Sequence, residues 1–232
     1  MVIKTSHGKY ETKDRIENCL RNRILNQIKS QGLLLDDNCS IIKPNLVNKE
    51  AIRNFHLSAC ADKYNANRRF LVEKEEELLN FFADGTEIDV DALKPKLQVV
   101  ESGTIESDLF RYATLLWSVP VSNGFGRRVR FLLWDQNNGK LIGLFALGDP
   151  VFNLKCRDNW IGWDHKARAE RLYNVMDIFI LGSVPPYNTL LGGKLIAMVA
   201  TSDEVRNVIQ KKYRNRKTII QNKSKVPIRA FL

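Results

Sequence analysis

The sequence predicts an α+β protein in which a helical N-terminal region precedes a mixed, mainly antiparallel sheet flanked by helices. Three observations lead to this prediction. In three stretches before residue 83, apolar residues recur every three or four positions, as on the buried face of a helix. Two apolar runs flank an Asn138-Gly139 pair, a strong hairpin signal because both residues tolerate positive φ. Asp177 to Val184 is nearly all apolar, which is typical of a buried strand.

Length and composition set the class of protein. With 232 residues, of which 44% are hydrophobic, the chain can bury a substantial core. Its apolar runs are shorter than the roughly 18 residues that a membrane span needs, and the first residues lack the apolar core of a signal peptide. We therefore expect a cytoplasmic protein that does not act at a membrane, with its four widely spaced cysteines as free thiols.

Residues 1–96 are predicted to form a mainly helical region. Thr12 and Asn48 can cap the first and second helices, and a short strand is predicted over residues 39–43. The apolar positions are Ile16, Leu20, Ile24 and Ile28 in the first helix, Ile52, Phe55 and Ala59 in the second, and Leu71, Leu78 and Phe82 in a third. Residues 83–96 contain Gly85, Pro95 and several aspartates, so this segment is the predicted boundary with a second region over residues 97–232.

Residues 97–232 are predicted to combine strands and helices. Strands are predicted over 97–101, 129–134, 141–147, 177–184, 218–221 and 226–232. One helix follows Thr104 and ends before Pro120, a second runs from Asp164 to about residue 175, and a third begins near Leu190. Thr201-Ser-Asp-Glu204 matches the capping-box pattern at the start of a fourth helix. Because the last strand runs to the final residue, we expect the sequence to be incomplete at its C-terminal end.

The positive charge is concentrated near the C-terminus. The net charge is +10, and from Arg206 onward the chain has nine lysines and arginines but no aspartate or glutamate. Such a segment attracts polyanions because binding releases condensed counterions, so it predicts a nucleic-acid contact. A solvated tail or an acidic protein partner is the alternative. The residues predicted to contact phosphates here are Lys211, Lys212, Arg214, Arg216 and Lys217.

A second candidate for nucleic-acid binding is the segment from Arg157 to Trp163. Arg157 can clamp a phosphate, and Trp160 and Trp163 offer faces for base stacking. Arg168 and Arg171 lie on the basic side of the helix that follows. The alternative is that the indoles anchor a connecting loop in the core while Arg157 pairs with Asp158.

The loop before residue 195 is a candidate cofactor site. A helix that starts after a strand presents unpaired N–H groups, and paired glycines let a phosphate approach the backbone closely. The predicted binding residues are Asn188, Thr189, Gly192, Gly193 and Lys194. The cofactor is unknown from the residues themselves, and close helix–sheet packing is an equally simple reason for the glycines.

Asp149 and Asp158 are the candidate catalytic residues, each as a carboxylate close to the end of an element. Together with Asp164 and Asp177 they could supply magnesium ligands, although their spacing matches no known motif. We predict no metal site, because His56 and Cys60 stand four residues apart without a second pair of ligands.

Three stretches resemble the Druantia A protein family, a family associated with Druantia anti-phage defence systems and mobile elements. They read FRYATLLWSVPVSNGFGRRVRFLLWD, NGKLIGLFALGDPVFNLKCRDNWIGW and VMDIFILGSVPPYNTLLGGKLIAMVATSDEVR. The most specific part is RDxWIGW, which stands here as Arg157, Asp158, Trp160, Ile161, Gly162 and Trp163. The resemblance implies a role in defence against invading DNA and a fold similar to the GNAT acyltransferases.

Several functions are compatible with these observations. The leading hypothesis is a nucleic-acid-binding component of a prokaryotic anti-phage defence system, which binds DNA and acts with other defence proteins such as a helicase. The first alternative is an N-acyltransferase that uses acyl-coenzyme A, with the Gly192-Gly193 backbone on the pyrophosphate. The others are a metal-dependent nuclease or transposition-associated protein, and an adaptor without a ligand of its own.

Overall fold

The computed structural model describes residues 2–4, 10–30, 33–38, 40–42, 48–117, 126–217 and 230–231. It confirms the predicted α+β class. The chain divides into two compact units, residues 1–71 with 115–119, and residues 72–114 with 120–232. The boundary after residue 96 stays a prediction. The predicted strand over 218–221 lies outside the described residues.

The first unit is built from two helices and two short antiparallel strand pairs. Its elements are β1 (Val2–Lys4), β2 (Tyr10–Thr12), α1 (Lys13–Ser30), β3 (Leu34–Leu35), β4 (Ile41–Ile42) and α2 (Lys49–Ala66). β1 pairs with β2, and β3 pairs with β4. Asn48 caps α2 as predicted, because its side-chain oxygen accepts from the Ala51 N–H at 2.8 Å.

The second unit is organised around one five-stranded sheet. Its strands are β5 (Pro95–Val99), β6 (Arg128–Asp135), β7 (Lys140–Gly148), β8 (Val175–Ser183) and β9 (Ala230–Phe231), in that spatial order. Neighbouring strands are antiparallel except β8 and β9, which run parallel. The sheet is therefore mixed and mainly antiparallel, as the sequence predicts.

The helices of this part of the chain lie between the strands in sequence. They are α3 (Arg68–Leu79), which begins in the first unit, α4 (Ile105–Thr114), α5 (Lys155–Ile161), α6 (His165–Arg171), α7 (Gly192–Ala200) and α8 (Asp203–Tyr213). Residues Ile196, Ala200, Val205 and Ile209 of α7 and α8 are fully buried. They share a core with alternate residues of β6 and β7, where the Phe131 and Phe145 rings stack at 4.7 Å.

The predicted hairpin is confirmed. β6 and β7 pair in antiparallel register from Arg128↔Gly148 to Asp135↔Lys140. Gly139 has φ +72° and donates its N–H to the Asp135 carbonyl at 2.8 Å. The turn therefore uses glycine where an L-residue would be strained.

Several boundaries differ from the predictions for local physical reasons. β5 starts at Pro95, two residues early, and an edge strand tolerates a proline. α4 ends at Thr114, whose hydroxyl donates to the Arg111 carbonyl at 2.7 Å. The capping box predicted at Thr201 is wrong: Thr201 ends α7 by donating to the Met198 carbonyl, and Ser202 precedes α8 without a side-chain cap.

Candidate nucleic-acid interface

Most of the predicted site residues lie at one end of the sheet, where β6 begins, β7 ends and β8 begins. Antiparallel pairing produces this arrangement, since Arg128 stands opposite Gly148, and Gly148 stands opposite Asp177 on the other side. The connection from β7 to β8 carries α5 and α6, so residues far apart in the sequence share this end. We call it the β6-start end of the sheet.

Asp158 is the centre of a buried ion network on α5. The residue is only 3% exposed. Oδ1 accepts from Arg157 Nε at 3.0 Å and Nη2 at 2.8 Å, and Oδ2 accepts from Arg168 Nη1 at 2.9 Å. The same two guanidinium groups bind the preceding loop, because Arg157 donates to the Val151 carbonyl and Arg168 donates to Asn153 Oδ1. This network ties α5, α6 and the loop after β7 together.

Opposite pKa shifts distinguish Asp158 from the neighbouring Asp177. Burial by itself would raise the pKa of Asp158, but the hydrogen bonds and charges of Arg157 and Arg168 outweigh it, so the pKa is below its ordinary value. The pKa of Asp177 is raised by burial, although the Arg157 charge and a hydrogen bond with the Val151 backbone oppose the shift. Asp158 is therefore held as a carboxylate by both arginines.

Asp149 is also paired with an arginine. Its Oδ1 accepts from Arg127 Nε at 2.6 Å, and its Oδ2 accepts from the Arg127 N–H at 2.9 Å. A side chain at Gly126 would meet this carboxylate, since a Cβ there would lie 2.5 Å from Asp149 Oδ2. Both candidate catalytic carboxylates are thus engaged in arginine contacts, and their catalytic role stays a prediction.

The two tryptophans of the RDxWIGW segment differ in environment. Arg157 and Trp160 lie on α5, so the expectation of a connecting loop here is wrong. Gly162 ends the helix at φ +79°, and the Trp163 N–H donates to the Asp158 carbonyl at 2.8 Å. Trp160 is 88% exposed, whereas Trp163 is half-buried. Core anchoring therefore does not apply to Trp160.

A basic cluster joins the start of β6 to the end of α8. β5 does not pair with β6 at Arg128. The Arg128 backbone bonds to Tyr213 instead: the Tyr213 hydroxyl accepts from the Arg128 N–H at 2.8 Å and donates to the Arg128 carbonyl at 2.9 Å. Lys212 Nζ donates to the same carbonyl at 3.1 Å. The Arg216 guanidinium lies 5.6 Å from the Tyr213 ring centroid. We call Arg128, Arg130, Lys212 and Arg216 the β6–α8 basic cluster.

Burial and like charges both act on the cations of this cluster. Burial lowers the pKa of Lys212, and the charges of Arg216 and Arg130 lower it further, against the opposing charge of Glu101. Burial also lowers the pKa of Arg130. Arg128 and Arg130 were not among the binding residues predicted from the sequence. The signal available was the cationic run in Gly126-Arg-Arg-Val-Arg130, but only the fold brings it to the C-terminal lysines.

The other predicted phosphate contacts are surface residues. Lys211 lies in the last turn of α8, Arg171 lies in the last turn of α6, and both are exposed. Arg214, Arg216 and Lys217 are exposed as well. Arg157 and Arg168 differ from these residues because their guanidinium groups are already bonded to Asp158.

The glycine loop is anchored at Tyr187, a residue that the sequence analysis did not single out. Its buried hydroxyl donates to Asp135 Oδ2 at 3.0 Å and accepts from Asn138 Nδ2 at 2.8 Å. Burial is the main cause that raises the pKa of Tyr187 to about 12. These contacts attach the loop to the β6–β7 hairpin turn.

The two loop glycines have different surroundings. A Cβ at Gly192 would lie 2.6 Å from the Tyr187 carbonyl oxygen, whereas one at Gly193 would have only Ser183 Oγ, at 4.0 Å, as a neighbour. α7 starts at Gly192 without a side-chain cap, and Asn188, Thr189 and Lys194 are exposed around it. Close packing thus accounts for Gly192. The structure leaves the surface at Gly193 open.

Metal ligands do not come together in the part of the chain that the structure describes. There, no three side chains from histidine, cysteine, aspartate and glutamate form a group that could hold an ion. The described cysteines, Cys19, Cys60 and Cys156, are free thiols. Within the same residues, no helix is both long and apolar enough to cross a membrane.

Comparison with known proteins identifies the family. The family model described as Druantia protein DruA matches residues 46–232. A curated relative, Druantia protein DruA of Escherichia coli (strain UMEA 4076-1), is 47% identical over 206 residues, which cover 89% of this chain and 51% of the relative. The chain thus spans about half the length of that relative, and no solved structure matches it. The resemblance found in the sequence is confirmed: the chain belongs to the Druantia protein DruA family.

Proposed function

We propose that this Druantia defence protein binds nucleic acid, and that the β6–α8 basic cluster contacts the phosphates. The observation behind the proposal is the convergence of four cations from two elements that are more than 80 residues apart in the sequence. Burial is the main cause that lowers the pKa of Lys212, and repulsion by Arg216 and Arg130 lowers it further, so the charged cluster costs free energy in the isolated protein. A polyanion would relieve that repulsion on binding.

Neighbouring residues extend this surface. Lys211, Arg214 and Lys217 add exposed positive charge beside Lys212 and Arg216. Arg127, at the same end of the sheet, is neutralised by Asp149 and is not part of the proposed contact. As a component of a defence system, the protein would bind DNA together with other Druantia proteins, a helicase among them, and these partners belong to the same proposal.

The test is a salt titration of DNA binding with a matched pair of double variants. Lys212→Gln with Arg216→Gln removes two charges from the cluster, and Lys49→Gln with Lys74→Gln removes two charges from outside it, on α2 and α3. We expect the cluster variant to lower the slope of log affinity against log salt by about 2, since each neutralised phosphate contributes about 0.9. Fluorescence anisotropy with a labelled oligonucleotide measures this slope for each protein.

The control pair separates a site from net charge. Both double variants have the same net charge, so an equal loss in both would mean that binding depends on overall charge, and the proposed interface would be wrong. Absence of binding by the unaltered protein at low salt would remove the proposed function itself.

Acyl transfer from coenzyme A is the second candidate, and one observation favours it. α7 begins without a side-chain cap, directly after β8 and its loop, and Gly193 leaves its N-terminal turn accessible. Such a helix start suits a pyrophosphate. We also propose that the scaffold is GNAT-like, and the features that support this are the β6–β7 hairpin, β8, the loop and α7. Calorimetric titration with acetyl-coenzyme A should give a saturable heat; a flat titration would remove this candidate.

Metal-dependent cleavage has no comparable support from the described residues. Asp149 and Asp158 are paired with arginines, and Asp164 caps α6 by accepting from the Ala167 N–H at 2.6 Å. A metal would have to compete with these partners for the carboxylate oxygens. We therefore do not extend the proposal to nuclease chemistry.

A further inference from the structure

Trp160 is the largest apolar side chain that the described residues expose almost completely. At 88% exposure it gains almost nothing from the core. A tryptophan in this state forgoes most of the free energy that burial of its side chain would contribute. We therefore expect Trp160 to have a role other than packing in the core.

The helix that carries Trp160, α5, is held by the Asp158 ion network. Arg157, one turn earlier on α5, is fixed by two hydrogen bonds to Asp158 and one to the Val151 carbonyl. Arg168 holds the other Asp158 oxygen and lies 5.0 Å from the Phe152 ring centroid. When such a side chain binds a flat ligand, the backbone loses little conformational freedom, because the helix is already ordered.

The segment that carries Trp160 also exposes apolar and cationic groups. Val151 and Phe152 are 62% and 57% exposed on the loop that the two arginines hold. Lys155 and Lys166 are exposed at the starts of α5 and α6. Asp158, the acid at the centre, is neutralised by its arginines. An aromatic face with cations nearby is complementary to a nucleobase and its phosphate.

The tryptophan and the basic cluster belong to the same end of the sheet. α5 leaves from the end of β7 at Gly148, which pairs with Arg128. α6 returns to the start of β8, where the Val175 carbonyl accepts from Arg127 Nη2 at 3.3 Å. A nucleic-acid strand held by the cluster would therefore run close to the segment that carries Trp160.

We propose that Trp160 is a stacking platform for an unpaired base, so that the preferred ligand is single-stranded nucleic acid. This inference rests on the proposed nucleic-acid binding and specifies its ligand. In a duplex the base faces are covered by their neighbours, and an exposed indole has no face to stack on. A base in a single strand offers its face at little cost.

The experiment compares single-stranded and duplex DNA of the same length and sequence on Trp160→Ala, Trp160→Phe and the unaltered protein. We expect Trp160→Ala to weaken single-strand binding by roughly 5- to 150-fold, the range for loss of one stacked base. Duplex binding should change by less than about twofold. Trp160→Phe should recover most of the single-strand affinity, because phenylalanine retains a stacking face.

Two further readouts separate stacking from a structural role. The slope of log affinity against log salt should be unchanged in Trp160→Ala, because stacking releases no counterions. The midpoint of thermal unfolding should also be unchanged, since the side chain is exposed. A 5-iodouracil substituted in the single strand should photocrosslink to the tryptic peptide that contains Trp160.

Each other outcome overturns the inference. Equal losses for single strand and duplex would mean that Trp160 contributes to general affinity. Unchanged binding of both would leave the basic cluster as the interface and Trp160 as a contact for another protein. If the unaltered protein bound neither DNA, the proposed function would fail together with this inference, whereas duplex binding that depends on Lys212 and Arg216 would preserve the function alone.

Discussion

Asp158→Asn should lower the midpoint of thermal unfolding by on the order of 10 °C at neutral pH. An asparagine of the same shape can accept at one oxygen only, and its amide would point N–H groups at a guanidinium. Arg157 and Arg168, whose side chains are 10% and 13% exposed, would then share a buried site without a countercharge. Differential scanning calorimetry measures the change directly.

The loss should depend on pH in a direction that follows from the Asp158 pKa. A carboxyl group whose pKa is lowered by folding stabilises the protein at pH values above its ordinary pKa of about 3.9. That stabilisation disappears as the pH falls through the lower pKa of the folded state. The contribution of Asp177 to stability has the opposite pH dependence: because burial raises its pKa, this contribution decreases as the pH rises. The difference between the two proteins should therefore be constant above about pH 5 and shrink below pH 4.

Asp203→Asn is the matched control for this prediction. Asp203 also pairs with an arginine, Arg206, but its side chain is 86% exposed. Exposed pairs of this kind contribute about 0–1 kcal/mol, so the midpoint should hardly move. If Asp158→Asn and Asp203→Asn had similar effects, or if the Asp158 effect were the same at pH 3 and pH 7, the ion network would not be a support of α5.

Gly192→Ala should destabilise the protein by about 2 kcal/mol or more. The new methyl group would lie 2.6 Å from the Tyr187 carbonyl oxygen and 3.0 Å from Ser183 Cβ. Tyr187 cannot move away easily, because its hydroxyl is bonded to Asp135 and Asn138 below the hairpin turn. The higher helix propensity of alanine, at most about 1 kcal/mol, is too small to compensate. Urea denaturation gives the free energy of unfolding.

Gly193→Ala provides the comparison at the next position of the same helix. Its Cβ has only Ser183 Oγ, at 4.0 Å, within reach. Stability should stay the same or rise by up to about 1 kcal/mol. Equal destabilisation by both variants would contradict the view that Gly192 serves packing while Gly193 faces an open surface. A stable Gly193→Ala protein is also a suitable variant for the coenzyme A titration.

Much of the fold follows from local chemistry that can be recognised in the sequence. The Asn138-Gly139 pair marks the turn between β6 and β7, because Gly139 takes the positive φ that the turn needs. Asn48 and Asp164 start α2 and α6 for the same kind of reason, since a cap bonds only its own first turn. α5 could not be predicted in this way: the residue before it, Leu154, makes no side-chain cap, and the helix is held instead by the Asp158 network.

The candidate site also has features that the sequence predicts and features that only the fold produces. The family, the concentration of charge after Arg206 and the candidate segment from Arg157 to Trp163 could all be predicted from the sequence. The contacts of Arg157 and Arg168 with Asp158, the exposure of Trp160, and the approach of Arg128 and Arg130 to Lys212 and Arg216 could not. The difference lies in the range over which each effect acts. Turn and cap chemistry acts within a few residues, whereas burial and the meeting of like charges depend on the packing of segments far apart in the chain, such as α8 against β6.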